Sequence, residues 1–140
     1  MISFQNQTIS FKLKEKARLK AWIKAVTEKE QHRLGDINYI FCTDDELLDI
    51  NLQHLNHNTY TDIITFDYTE GNRISSDIFI SVDRVEENAK KFKVAFEEEL
   101  HRVMIHGILH LCGYKDKSKA DAKLMRKKED IALNLLHEGL

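Results

Sequence analysis

The sequence predicts a single α+β domain, in which a small mixed β-sheet of about four strands packs against about five helices. The 140 residues are enough for one hydrophobic core, and 42% hydrophobic with 31% charged residues is ordinary for a globular protein. Strand patterns come mainly first and helical patterns last, which favours the α+β class. The chain has no proline, repeat or linker, so we expect residues 1–140 to form one domain.

Two short alternating patterns near the N-terminus and three stretches rich in β-branched and aromatic residues predict strands. The predicted strands are residues 2–5, 9–11, 37–42, 63–68 and 77–82. Glu70, Gly71 and Asn72, between the last two, are typical of a hairpin turn. We therefore expect those two strands to be antiparallel neighbours.

Apolar residues at helical spacing predict helices along much of the chain. The predicted helices are residues 15–29, 44–52, 83–93, 96–112 and 119–137. The first presents one apolar face, formed by Leu19, Trp22, Ile23 and Val26. Thr43 is placed to cap the second, with Glu46 three residues later as in a capping box.

The run HGILHLCGYKDK carries the most informative residues of the chain. His106 and His110 are four residues apart, which puts both imidazoles on one face of a helix, one turn apart. The helix is expected to end at Gly113, because glycine adopts the left-handed conformation without penalty. The chain can then turn back and bring Asp116 toward the imidazoles. Two nitrogens and one carboxylate oxygen suit Zn²⁺, and three protein ligands leave the fourth position open for water.

The alternative is that the two histidines are ordinary core or surface residues, since an HxxxH pattern alone is a weak signal. Ile105, Ile108 and Leu109 flank them, so the segment is mostly buried. Buried histidines need polar partners, which a metal supplies. On a helical wheel the histidines lie at the edge of the apolar stripe, where a cleft can form. Together with Gly113 and Asp116, these features favour the metal site.

The residues around the histidines indicate which reactions a metal at this site could catalyse. Gly107 stands where an HExxH zinc protease carries its general-base glutamate, which disfavours peptide hydrolysis, and we expect it to leave space open beside the metal. Cys112 lies about 200° around the helix from His110 and is expected to point away. The glutamates at 97–99 are interpreted as first-turn carboxylates that the helix dipole favours.

Charge is unevenly distributed along the chain. A net charge of −2 and a pI of about 6.4 give no overall signature of a nucleic-acid-binding protein. From Lys115 to Lys128, however, seven basic residues accompany two acidic ones. Such a run is usually a solvated helix face, but its position after the metal motif also fits an anionic substrate. Lys115 and Lys117, which flank Asp116, are the candidate phosphate contacts, although surface lysine is their ordinary interpretation.

Nothing in the sequence predicts a membrane or secreted protein. No apolar run approaches the length of a membrane span, and the N-terminus lacks the basic and apolar segments of a signal peptide. Cys42 and Cys112 follow apolar stretches and are interpreted as buried thiols, although a disulfide is possible. We therefore expect a cytoplasmic protein.

Three blocks of the sequence resemble the YbeY family, single-domain metal-dependent endoribonucleases of bacterial ribosomal RNA maturation. HGILHLCGYKD is similar to the family pattern HGxLHLxGYDH. Residues 61–66 (TDIITF) resemble its TDVLSF segment, and residues 76–81 (SDIFIS) resemble its GDIxIS strand. The order and spacing of the blocks match as well. The resemblance implies ribosomal RNA as the substrate, with the ribosome or ribosomal proteins as partners.

Two positions depart from the family pattern. Asp116 stands at the family's third histidine, and an anionic ligand there should make the bound water less acidic and somewhat favour harder metals. The family also carries a basic YRGKD-like stretch before residue 61, whose arginine is credited with a role in RNA cleavage. This chain has Leu55 at the aligned place. His57 is a nearby candidate substitute, although a loop histidine is more often simply solvated.

We therefore expect a zinc-dependent endoribonuclease, specific for single strands, that acts in ribosomal RNA processing and ribosome quality control. One Zn²⁺ with an open fourth position would activate a water or polarise a phosphoryl oxygen. Beyond that metal-bound water no catalytic residue is predicted, since no general base stands out in the motif. The alternatives are a ribosome-associated binding module with a structural metal, and a metal hydrolase of another substrate.

Overall fold

The computed structural model describes residues 1–55 and 60–139, which form one four-stranded sheet and five helices. The strands are β1 (Ile2–Asn6), β2 (Arg33–Cys42), β3 (Ile63–Asp67) and β4 (Arg73–Ser81). The helices are α1 (Lys16–Lys29), α2 (Asp44–Leu55), α3 (Val82–Phe92), α4 (Phe96–Leu111) and α5 (Lys119–Glu138). The predicted α+β class is confirmed. Among the described residues, no helix combines the length and apolar character needed to span a membrane.

The sheet is mixed, with the strand order β1-β2-β4-β3. β1 and β4 both pair with β2 in parallel, whereas β3 pairs with β4 in antiparallel register. The predicted hairpin joins β3 to β4: Glu70 and Arg73 exchange backbone hydrogen bonds of 3.1 and 3.0 Å. Gly71 sits in that turn with a φ of 60°, a left-handed conformation that glycine adopts without a Cβ penalty.

The main core lies on one face of the sheet, beneath α1, α4 and α5. Alternate residues of β2, among them Ile37, Tyr39 and Phe41, are buried there. The Tyr39 hydroxyl donates a hydrogen bond to the Met104 carbonyl at 2.9 Å, which fixes α4 over the centre of the sheet. Trp22 Nε1 of α1 donates to the Ala132 carbonyl of α5 at 2.7 Å. The sheet and three helices are therefore tied into one packed unit.

The other face of the sheet is partly covered by α2. Cys42, Leu47 and Ile64 form a smaller buried cluster under this helix. The predicted capping box begins α2, because the Thr43 hydroxyl accepts from the Glu46 N–H at 3.1 Å and the Glu46 carboxylate accepts from the Thr43 N–H at 2.9 Å. The helix continues to Leu55, beyond the predicted end at residue 52.

The close approach of α4 to the sheet depends on Gly107. A Cβ there would lie 3.1 Å from Ile63 Cδ1 and 3.3 Å from Thr65 Cγ2. The glycine therefore faces β3, about 100° around the helix from His106. The expectation that it leaves space open beside the metal is wrong. Its role is to let α4, and the two histidines that α4 carries, lie against the sheet.

Some predicted strands differ from those observed. Residues 9–11 are not a strand, because the Asn6 side-chain amide donates to the Phe11 carbonyl at 2.7 Å and folds the segment back. Phe11 instead packs against Phe41 and Phe96, with ring centroids 4.9 and 6.0 Å away. β2 and β4 begin four residues before the predicted positions, at Arg33 and Arg73.

We expect Gly35→Ala to destabilise the protein. Gly35 lies where the register between β2 and β4 shifts, and an added Cβ would be 2.5 Å from the backbone oxygen of Ile74. Because that oxygen cannot move without disturbing the ladder, the free energy of unfolding should fall by roughly 1–3 kcal/mol. Denaturant titration followed by circular dichroism measures the change. The control, Gln5→Ala on the exposed edge strand β1, should stay within about 0.5 kcal/mol of wild type. Equal stability of the two variants would contradict the argument.

Candidate metal centre

His106, His110 and Asp116 come together at the C-terminal end of α4. The Nε2 atoms of both imidazoles lie 3.3 Å from Asp116 Oδ2, and the three potential ligand atoms all lie within 4.8 Å of one another. Zinc bonds of 2.0–2.2 Å in tetrahedral geometry place ligand atoms about 3.3–3.6 Å apart. The predicted set therefore has the composition and spacing of a metal site with three protein ligands.

The turn after α4 brings Asp116 back to the histidines. Gly113 has a φ of 105°, and its N–H donates to the His110 carbonyl at 3.0 Å, as predicted for a glycine that ends the helix. The Tyr114 hydroxyl then donates to Glu30, the residue that caps the C-terminus of α1, at 2.6 Å, while the Lys128 ammonium of α5 lies 5.5 Å from its ring centroid. The loop that carries Asp116 is thus anchored to two helices.

Glu129 of α5 holds His106 from the side opposite Asp116. The carboxylate Oε2 lies 2.6 Å from His106 Nδ1, so Nδ1–H donates to it and Nε2 is left to face the ligand group. Glu129 is 5% exposed and also accepts from Arg102 at 3.0 Å, while Arg102 donates to Asp130 at 2.7 Å. A carboxylate behind a metal-binding histidine fixes the tautomer and the ring orientation.

The imidazole of His106 has a raised pKa. Burial opposes its protonation, but the hydrogen bond and the negative charge of Glu129, together with the charges of Asp116 and Asp62, outweigh burial and raise the pKa. Sequence reasoning missed Glu129, although one signal was present. Its neighbours on the buried face of α5 are apolar, Met125, Ala132, Leu133 and Leu136, so a glutamate in that stripe needs a partner.

A cavity of about 310 Å³ opens beside this group, between α3, α4, α5 and the start of β3. Its polar lining consists of Asp62, Asn88, Glu99, Arg102, His106, Asp116, Arg126 and Glu129. Its apolar lining consists of Ile63, Phe92 and Val103. The cavity is therefore rich in titratable groups, with three apolar side chains among them.

The sequence profile described as Endoribonuclease YbeY matches residues 1–137. The chain belongs to the YbeY family. The resemblance and the endoribonuclease function expected from it are thereby confirmed.

Individual relatives agree with this membership. The chain is 58% identical to Endoribonuclease YbeY of Flavobacterium johnsoniae over 137 residues, which cover 98% of both proteins. It is 50% identical to that of Parabacteroides distasonis over 137 residues, 98% of this chain and 96% of the relative. A solution structure from Thermotoga maritima superposes with a TM-score of 0.66 at 30% identity, covering 97% of this chain and 89% of that one.

Asp62 and Glu99 are two acidic residues that line the cavity. Glu99 does lie in the first turn of α4, but it is also buried and lines the cavity. Burial raises its pKa, and the negative charge of Asp62 adds to that effect. Burial also raises the pKa of Asp62, against the opposing charge of His106. Four carboxylates against two guanidiniums favour a divalent cation in this cavity.

The remaining predicted residues occupy different surroundings. Lys115 and Lys117 are exposed beside Asp116 and are not among the residues that line the cavity, whereas Arg126 of the same basic run does line it. Cys112 packs against the main core outside the ligand group, as expected, and burial raises the pKa of its thiol to about 12. His57 lies outside the described residues.

The pKa shifts predict how stability varies with pH. Burial makes Asp62 and Glu99 bind protons more tightly in the folded than in the unfolded chain. Above pH 4, about the ordinary carboxyl pKa, the folded state therefore holds more protons, and the free energy of unfolding falls as pH rises until both groups ionise. In chelator, Glu99→Gln should show a smaller fall and exceed wild type in stability at pH 7.

Urea titrations at a series of pH values between 4 and 8 measure this dependence. The control is Glu98→Gln, which changes a less buried carboxylate in the same first turn of α4 and should keep the wild-type slope. An unchanged slope in Glu99→Gln would show that the buried Glu99 carboxyl does not contribute to the pH dependence.

Proposed function

We propose that this protein is a zinc-dependent endoribonuclease that cleaves single-stranded RNA in ribosomal RNA maturation and ribosome quality control. The observation that carries the proposal is the position of Asp116 Oδ2, 3.3 Å from Nε2 of both His106 and His110. A set of three protein ligands leaves a coordination position for water, as catalytic zinc sites do. Membership of the YbeY family supports RNA as the substrate.

In this proposal His106, His110 and Asp116 hold the ion. Bound zinc supplies Lewis acidity toward water and toward a phosphoryl oxygen of the substrate. Glu129 accepts the Nδ1 proton of His106 and so keeps Nε2 directed at the ligand group, while Arg102 fixes the carboxylate of Glu129. These two residues act by positioning the His106 imidazole.

The cavity offers the other groups that phosphodiester hydrolysis needs. Arg126 is exposed at its edge and presents a guanidinium that suits phosphate oxygens. Lys115 and Lys117 remain candidates for further phosphate contacts outside the cavity. Asp62 and Glu99 have raised pKa values and line the same cavity, so their carboxylates are the candidates for the proton acceptor that the histidine motif lacks.

The alternatives are less well supported. A structural metal takes four protein ligands, whereas the group found among residues 1–55 and 60–139 has three. A peptide hydrolase of the HExxH type needs a glutamate at position 107, where this chain has a glycine packed on the sheet. We further propose the ribosome as partner and the cytoplasm as location, which the family resemblance and the unpaired Cys42 and Cys112 support.

The ligand assignment predicts zinc affinities. His110→Ala should abolish tight binding, because it removes a ligand atom. Glu129→Gln should weaken binding by roughly 10- to 100-fold, because a neutral amide holds His106 less firmly. Competition with a chromophoric chelator measures both.

The matched control on α5 is Asp130→Asn, which changes the exposed partner of Arg102 and should stay within a few-fold of wild type. Wild-type affinity in His110→Ala would refute the ligand set. Wild-type affinity in Glu129→Gln alone would refute the positioning role of Glu129 and leave the ligand set standing.

The proposed activity predicts metal-dependent cleavage of a labelled single-stranded RNA oligomer. Chelator should stop cleavage, and zinc should restore it. Asp116→Ala should lose cleavage but keep much of the RNA affinity, because the basic residues supply binding that weakens as salt rises. Asp49→Ala, an exposed acidic position on α2, serves as the control and should cleave normally. Cleavage that survives both chelator and Asp116→Ala would contradict the proposal.

A further inference from the structure

The wall that α3 contributes to the cavity has no part in the metal chemistry proposed above. Asn88 and Phe92 are four residues apart and share one face of α3. Both line the same cavity as His106 and Asp116. A planar apolar ring and a side-chain amide thus stand beside a metal centre, on an element that supplies no ligand to it.

Phe92 is unusual among the phenylalanines of this chain. Its side chain is 51% exposed, whereas the other six are buried or half-buried. Packing in the core therefore does not explain why a phenylalanine stands at this position. The Lys91 ammonium, from the same helix, lies 5.9 Å from the centroid of the Phe92 ring. Much of the ring surface remains available to a ligand that enters the cavity.

The charges in the cavity decide which part of an RNA chain can lie against this wall. Carboxylates of Asp62 and Glu99 repel phosphate, so a phosphate is favoured beside a metal ion held by the ligand group and beside Arg126 of α5. Lys119 and Lys123 are exposed on the same stripe of α5 as Arg126, which extends the positive surface along that helix. The wall formed by α3 carries no charge in the cavity lining and suits a neutral group.

A nucleobase is such a group. Bases of single-stranded nucleic acids stack on aromatic side chains, and every base has a face that can do so. The amide of Asn88 can both donate to and accept from the polar edge of a base. A volume of about 310 Å³ lies within the range of small-ligand sites, which begins at about 300 Å³.

We propose that Phe92 and Asn88 form a nucleobase subsite, in which one base of the RNA stacks on Phe92 while an adjoining phosphate lies at the metal centre beside Arg126. The subsite rests on the proposed RNA cleavage at that centre. It also gives a physical origin for single-strand specificity, because a base within a duplex is already stacked and paired and cannot present its face to the ring.

The test compares zinc-loaded wild type, Phe92→Ala, Phe92→Tyr and the control Tyr68→Ala. Tyr68 is 56% exposed and is not among the residues lining this cavity. Substrates are one labelled single-stranded RNA and a series in which one nucleotide at a time is abasic. KM and kcat are measured for each pair, RNA affinity is measured by fluorescence anisotropy, and zinc affinity by chelator competition.

Phe92→Ala should raise KM and weaken RNA binding by about tenfold, the loss expected from one base–aromatic stack, while keeping kcat and zinc affinity. Phe92→Tyr, which keeps a ring, and Tyr68→Ala should match wild type. One abasic position should cost wild type about the same tenfold and cost Phe92→Ala little, because the lost base and the lost ring remove the same contact.

Three results would overturn the subsite: wild-type KM in Phe92→Ala, an equal loss in Tyr68→Ala, or an abasic penalty that is the same in Phe92→Ala as in wild type. Failure of the proposed function looks different. Zinc-loaded wild type that binds the RNA without cleaving it would refute cleavage, and the same comparison by anisotropy would then decide the subsite. Wild type that does not bind the RNA would overturn both.

Discussion

The hydrogen bond between His106 Nδ1 and Glu129 Oε2, 2.6 Å long, is the contact on which the candidate site depends. It joins α4 to α5 beside the ion pairs that Arg102 of α4 makes with Glu129 and Asp130 of α5. A buried carboxylate without partners would be costly, and here the imidazole and Arg102 both satisfy it. This interaction therefore contributes to the orientation of the histidine, to the packing of the two helices and to the polar lining of the cavity.

The charges around that contact differ between the cavity, where carboxylates predominate, and the outer surface of α5, where cations predominate. Carboxylates line the cavity close to the ligand group, and they hold an excess of negative charge that a divalent cation offsets. Cations lie mainly on the outside, along α5, where they attract phosphates without filling the metal centre. Asp116 in place of a third histidine increases the inner negative charge, and Arg126 at the edge of the cavity partly compensates. This distribution favours an anionic polymer at the surface and a divalent cation in the interior.

The predictable parts of the structure were those with local signals. The helices, the hairpin at Gly71 and the turn at Gly113 follow from periodicity and from the conformational freedom of glycine. The first residues of β2 were not predicted as strand, because Gly35 and the register shift interrupt the strand pattern there. Glu129 contacts His106 and Arg102, and Phe92 lines a cavity with Asp116, all distant in sequence, so no short window contained these groupings. The orientation of Gly107 was available from helix geometry, since adjacent residues point about 100° apart.

The order of elements along the chain has a consequence for when activity can arise. The three candidate ligands and Glu129 all lie between residues 106 and 129, after all four strands. During synthesis the sheet and α1 to α3 are made first, and domains assemble as units from what has been made. The His106 ring is not fixed until α5 has been translated and has packed on α4. An incomplete chain therefore lacks both the finished ligand group and the part of the core that α5 supplies.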